Sequence, residues 1–116
     1  MEKQKPKSLE DRTELFALDV REFIRSLPKS VISIEDGKQL VRSSGSVGAN
    51  YIEACESLSK KDFLLRIKIC RKEARESRFW LRMFTNLTGA QTKVRDGLIQ
   101  ESTELLKILS SIVNRS

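Results

Sequence analysis

The feature that most constrains this chain lies between residues 60 and 85. There Phe63, Ile67, Cys70, Ala74, Ser77, Leu81 and Phe84 recur at alternating intervals of four and three. That spacing keeps one stripe of an α-helix facing a neighbour over its whole length and suits the shallow crossing angles of a helical bundle. The predicted helix runs from about Lys60 to Thr85, with Ser59 as its cap and Asp62 at the third position completing a capping box. It would be about 39 Å long.

Such a stripe needs partners, and the rest of the chain supplies three. Leu9, Phe16, Val20, Phe23 and Leu27 share a helical face between Ser8 or Asp11 and Ser26, interrupted by the polar Arg12 and ended by Pro28. A second helix is expected from about Ile34, capped by Ser33 with Asp36, to Glu56 or Leu58. Its stripes are small: Leu40, Ser44, Val47, Tyr51 and Ala54 on one, Val41, Gly45, Gly48, Ile52 and Cys55 on the next. Glycine inside a helix costs about 1 kcal/mol relative to alanine. Gly45 and Gly48 are therefore read as points where another helix crosses closely, with a break near Ser43-Ser44-Gly45-Ser46 as the competing reading. The fourth helix is expected from near Gln91 to Val113, with Val94, Leu98, Leu105, Leu109 and Ile112 inward and Glu101 interrupting them. Short connections then imply an all-α, up-and-down antiparallel four-helix bundle. Residues 9–115 form that single domain, and residues 1–8, with three lysines and one proline, form a flexible basic tail.

Several functions are disfavoured by what the chain is made of. It has no histidine, which removes the commonest general base and zinc ligand. Cys55 and Cys70 lack paired spacing and fall in apolar stretches, so both are expected as buried, free thiols. Gly45-x-x-Gly48 follows no strand and forms no phosphate loop. Neither catalysis nor a cofactor is expected. No window has the roughly 18 apolar residues of a membrane span, and nothing resembles a signal peptide, so the cytoplasm is the expected compartment.

The net charge of +6 is unevenly placed. Residues 60–82 carry nine basic groups against three acidic ones, whereas residues 1–59 carry nine against ten and residues 83–116 four against three. Arg71, Arg75, Arg78 and Arg82 fall on one stripe of the third helix, with Lys68 and Lys72 beside them. Guanidinium groups so spaced can grip successive phosphates without reading bases. The solvated-face alternative stays open, and Glu73 and Glu76 are close enough in sequence to pair with neighbours such as Lys72 and soften the field. One Trp and one Tyr give no aromatic platform for single-stranded bases. Trp80 is read either as a core-edge residue whose indole finds a polar partner or, with Phe79, as part of a subunit interface. An acidic protein docking on the same basic face is the alternative partner to RNA or DNA.

On the second helix, Gln39, Arg42, Ser46, Asn50 and Glu53 share a face. They are read as a buried polar network orienting helices, with Glu53 neutralised by Arg42 or a third-helix arginine; a recognition groove is the other reading.

The run Gln39-x-x-Arg42-Ser43-Ser44-Gly45-Ser46-Val47-Gly48-Ala49-Asn50-Tyr51-Ile52-Glu53-Ala54, followed by Ser59-Lys60-Lys61-Asp62-Phe63 and Arg71-Lys72-Glu73-Ala74-x-Glu76-Ser77-x-x-Trp80-Leu81, resembles the bacterial four-helix bundle family of 23S rRNA-intervening-sequence proteins, the S23 family. The resemblance spans about residues 12 to 112. It departs at Gly48, where proline is common, and after Glu53, where no glycine follows. It implies an up-and-down bundle that assembles into cyclic homo-oligomers, pentamers by expectation. It also assigns Arg42, Ser46, Asn50 and Glu53 to the family's polar motif.

Overall fold

Each helix of the computed structural model, which describes residues 8–116, starts on a hydroxyl. Ser8, Ser30, Ser59 and Thr88 sit in extended conformation, and their side chains accept from the backbone N–H of Asp11, Ser33, Asp62 and Gln91. The elements that follow are α1 (Leu9–Arg25), α2 (Val31–Cys55), α3 (Lys60–Met83) and α4 (Gly89–Asn114). The tail expected over residues 1–8 lies outside the described residues except for Ser8, which is the cap of α1.

The caps correct three expected boundaries. α2 begins at Val31 rather than Ile34, because Ser33 is the third residue of a capping box whose cap is Ser30. α4 begins at Gly89 rather than Gln91, since Gln91 closes the box of Thr88. α3 stops at Met83, before Thr85, because Phe84 leaves the helix to bury its ring edge-on against Phe23, 5.6 Å between centroids. Arg95 donates to the freed Phe84 carbonyl at 2.7 Å. Asn86 then reverses the chain at φ 57°, a left-handed conformation that asparagine tolerates.

The helices pack in cyclic order, α1 on α2, α2 on α3, α3 on α4 and α4 back on α1, with no diagonal packing among the described residues. The result is the expected up-and-down four-helix bundle. One core cluster gathers Phe16, Phe23, Leu40, Leu81, Phe84 and Leu105 at the Pro28 end; the other gathers Val47, Ala54, Ile67, Cys70, Ala74 and Leu109. Small buried hydroxyls let the helices approach: Ser43 of α2 and Ser77 of α3 lie 3.0 Å apart, oxygen to oxygen.

α2 runs unbroken through Ser43–Gly48, so the break is excluded; the close-crossing reading holds at Gly48 but not at Gly45, where a β-carbon would meet only the end of the Arg21 side chain, at 3.7 Å. A β-carbon on Gly48 would lie 3.0 Å from the Thr13 hydroxyl of α1. The cysteines divide. Cys70 is buried, but Cys55 is exposed, because the last turn of α2 buries Ala54 against α3 and α4 and turns the stripe of Ile52 and Cys55 outward. Ile52, 49% exposed, lies on the same outward stripe.

Candidate nucleic-acid interface on the third helix

The apolar seam of α3 fixes where its charges point. With Ile67, Cys70, Ala74, Ser77 and Leu81 inward, the two flanks of the helix face different neighbours. One flank meets α2: Arg66 donates to Asn50 at 3.2 Å, and Glu73 accepts from Arg42 at 3.2 Å. The other meets α4, where Arg78 donates to the Thr103 hydroxyl at 3.2 Å.

Helical periodicity puts Arg71, Arg75 and Arg82 on the flank of Arg78. Arg75 and Arg82 are exposed, whereas Arg71 and Arg78 are half-buried against α4. The row from Arg71 to Arg82 is about 16 Å long. Lys68 and Lys72 are exposed on the adjoining outward stripe. No ion pair among the described residues engages any of these six cations.

The acids of α3 are held elsewhere. Arg42 reaches across from α2 and binds both Glu73 and Glu76, the carboxylate of Glu73 being almost wholly buried. Hydrogen bonding to Glu76 raises the Arg42 pKa, and the same bond holds the Glu76 carboxyl below the usual carboxylate range, against a smaller opposing effect of burial. The expected pairing of Glu73 with neighbours on its own helix is thus replaced by a cross-helix clamp, which draws both carboxylates to the α2 flank and away from the arginine row. Trp80 is half-buried and its indole N–H donates to Glu76 at 3.4 Å, as a core-edge residue should. Phe79 is 52% exposed and meets Trp80 edge-to-face at 5.0 Å.

The polar motif of α2 does not converge into the buried network expected. Arg42 turns to α3; Asn50 donates to the Ser46 carbonyl at 2.8 Å and accepts from Arg66; Glu53 is exposed. Glu53 therefore needs no burial partner, and Arg42 does not supply one. Ser46 contributes its backbone and is half-buried.

A feature the pattern reading passed over lies on the opposite side of α4. Arg12 of α1 and Glu101 of α4 form a two-pronged ion pair at 2.7 and 2.8 Å, which raises the Arg12 pKa. It spans a groove of about 790 Å³ between α1 and α4, floored by Leu15, Phe16, Phe23 and Leu98 and rimmed by Asp19 and Glu22. Val94, expected inward, stands 49% exposed at its mouth. Among the described residues there is no group of three potential metal ligands, and no helix is long and apolar enough to cross a membrane.

The fold is shared with known proteins. None of the curated proteins matches the chain. A crystal structure of a protein of unknown function from the S23 ribosomal protein family of Bacteroides thetaiotaomicron VPI-5482 superposes with a TM-score of 0.76 at 30% identity, covering 91% of this chain and 98% of that one. The family model described as 23S rRNA-intervening sequence protein matches residues 9–111. With nearly the whole bundle matched by both, the chain belongs to the 23S rRNA-intervening sequence protein family.

Proposed function

We propose that this chain is a non-enzymatic, cytoplasmic adaptor that assembles into a cyclic homo-oligomer, with five copies by resemblance, and binds RNA or DNA along α3. One observation carries the reading. Arg42 draws both glutamates of the α3 midsection to the α2 flank, leaving Arg71, Arg75, Arg78 and Arg82 as a row of cations without an ion pair among the described residues. A row of cations of this kind attracts phosphates and releases their counterions. The family's name, which ties it to an intervening sequence of 23S rRNA, favours a nucleic-acid role. Copies of the row around a ring would add weak contacts through effective concentration.

The test is light scattering after size exclusion, with and without structured RNA and duplex DNA, over a salt series. Co-migration that weakens steeply with salt and is lost when Arg71, Arg75 and Arg82 become glutamine supports the reading. An oligomer indifferent to both nucleic acids ends it.

The α1/α4 groove favours a second reading, a protein-binding scaffold. Its apolar floor fits the apolar face of a partner helix. Capture of such a partner that survives nuclease treatment, without nucleic-acid binding, would select it.

A further inference from the structure

Of the large apolar side chains exposed on α3, which are Leu65, Phe79 and Met83, Phe79 is the aromatic one. Half its area is open to solvent, near the C-terminal end of a helix whose seam from Ile67 to Leu81 is buried. Its helical neighbours one turn away include Arg75 and Arg82, with Lys72 a turn further on. The one acid within a turn, Glu76, is engaged by Arg42 and by the Trp80 indole. The ring is also braced: Trp80 packs edge-to-face against it, and Trp80 is tied through Glu76 to the Arg42 clamp. A held ring loses little conformational freedom when a ligand covers it.

We infer that the α3 surface takes single-stranded nucleic acid in preference to duplex, with an unpaired base stacked on Phe79 and the flanking phosphates held by Arg75, Arg82 and Lys72. The inference rests on the adaptor reading and narrows its ligand. Phe79 is one stacking position rather than the aromatic platform that the composition excludes; every base has an apolar face, so a single ring between phosphate-binding cations matches a strand whose bases are free to turn outward. A duplex keeps those faces inside its stack and offers Phe79 only sugars and phosphates, which desolvate at a cost and give nothing back. A protein partner would have to bring acids to three cations as well as an apolar contact, whereas one strand brings both in the same repeat.

The experiment measures the affinity of the full chain for an unstructured oligonucleotide and for the duplex of the same length, by fluorescence anisotropy at fixed salt. Phe79→Ala, Phe79→Trp and Arg75→Gln are compared with the unaltered protein, and light scattering follows the mass of each. The expected result is tighter binding of the single strand and its weakening by about 5- to 150-fold in Phe79→Ala. Duplex binding should be unchanged in that variant, binding should recover in Phe79→Trp, and the assembly mass should stay constant. Arg75→Gln should weaken both ligands. Equal effects of Phe79→Ala on both ligands, or none on either, overturn the inference while leaving the adaptor reading intact. A lower assembly mass in Phe79→Ala overturns it too, by making Phe79 a contact between copies. If the unaltered protein binds neither ligand, the adaptor reading itself falls.

Discussion

The guanidinium of Arg42 in α2 stands 3.2 Å from the carboxylate of Glu73 in α3, and Glu73 is only 6% exposed. Removing one partner of such a pair leaves the other charge in a poorly solvated place, which costs more than the pair itself contributes. Arg42→Ala should therefore lower stability by about 1–3 kcal/mol, since the arginine side is still open to water. Urea unfolding reads the loss. Glu73→Gln, which keeps the shape and removes the charge, should recover part of it in the Arg42→Ala background.

The same clamp makes stability depend on acid. Glu76 has its folded-state pKa lowered, chiefly by the Arg42 hydrogen bond, so its contribution is fully present above the ordinary glutamate range. It fades as pH falls through the folded pKa of Glu76, because the unfolded chain then binds the proton more readily. Unfolding midpoints at neutral and acid pH should converge between the wild-type chain and Arg42→Ala as the solution is acidified. A difference that stays constant would mean that the ion pair contributes nothing measurable.

Two glycines within helices should respond oppositely to alanine. Nothing lies within 4 Å of a β-carbon at Gly97, so Gly97→Ala should raise stability by about 0.5–1 kcal/mol through helix propensity. At Gly48 the new methyl would press on the buried Thr13, whose hydroxyl is held by the Glu10 carbonyl at 2.9 Å. Gly48→Ala should gain nothing, and Gly48→Val should lose more than about 2 kcal/mol as α1 is forced outward. Thermal unfolding of the three variants compares them directly.

The thiols should separate cleanly. Burial pushes the Cys70 pKa up to about 12, so its reactive thiolate is scarce at neutral pH, whereas Cys55 is open to solvent. A thiol-specific reagent should titrate Cys55 in the native protein and reach Cys70 only after denaturant is added. Cys55→Ser should abolish the native reaction.

For the arginine row the expected readout is a slope. Arg75→Gln and Arg82→Gln should each reduce the dependence of log affinity on log salt by about 0.7 to 0.9 for every phosphate left without its cation. Lys38→Gln, whose ammonium is near Glu35 on α2 at 3.5 Å, should leave it unchanged.

The seam of α3 could be read from the chain because its alternation of four and three is a property of one helix alone. The start of α2 was ambiguous for a local reason: Ser30 and Ser33 can both cap, and Asp36 makes the wrong one look complete. Cys55 follows Ile52 by helical spacing, but spacing does not reveal which of the two small-residue stripes of α2 faces the core. The clamp was hidden for another reason. Arg42 and Glu73 are 31 residues apart, and a face count offers Arg42 a closer carboxylate in Glu53. The Arg12–Glu101 pair did leave a trace, since each residue interrupts an otherwise apolar stripe with opposite charge. Recognising them as partners required knowing that α1 and α4 are neighbours.

That α1/α4 boundary also sets how the molecule breathes. α1 is the shortest helix, at 17 residues, and it leans on α4 across a hollow bridged by the Arg12–Glu101 pair, while its other side fits closely to α2 at Gly48. Partial opening should therefore begin as a slit along α1 and α4, with α1 hinging on α2 and the α2–α3 spine intact. In hydrogen exchange, the amides of α1 would open at lower free energy than those of α3. The arginine row, carried on the spine, would keep its spacing while the far side of the bundle opens and closes.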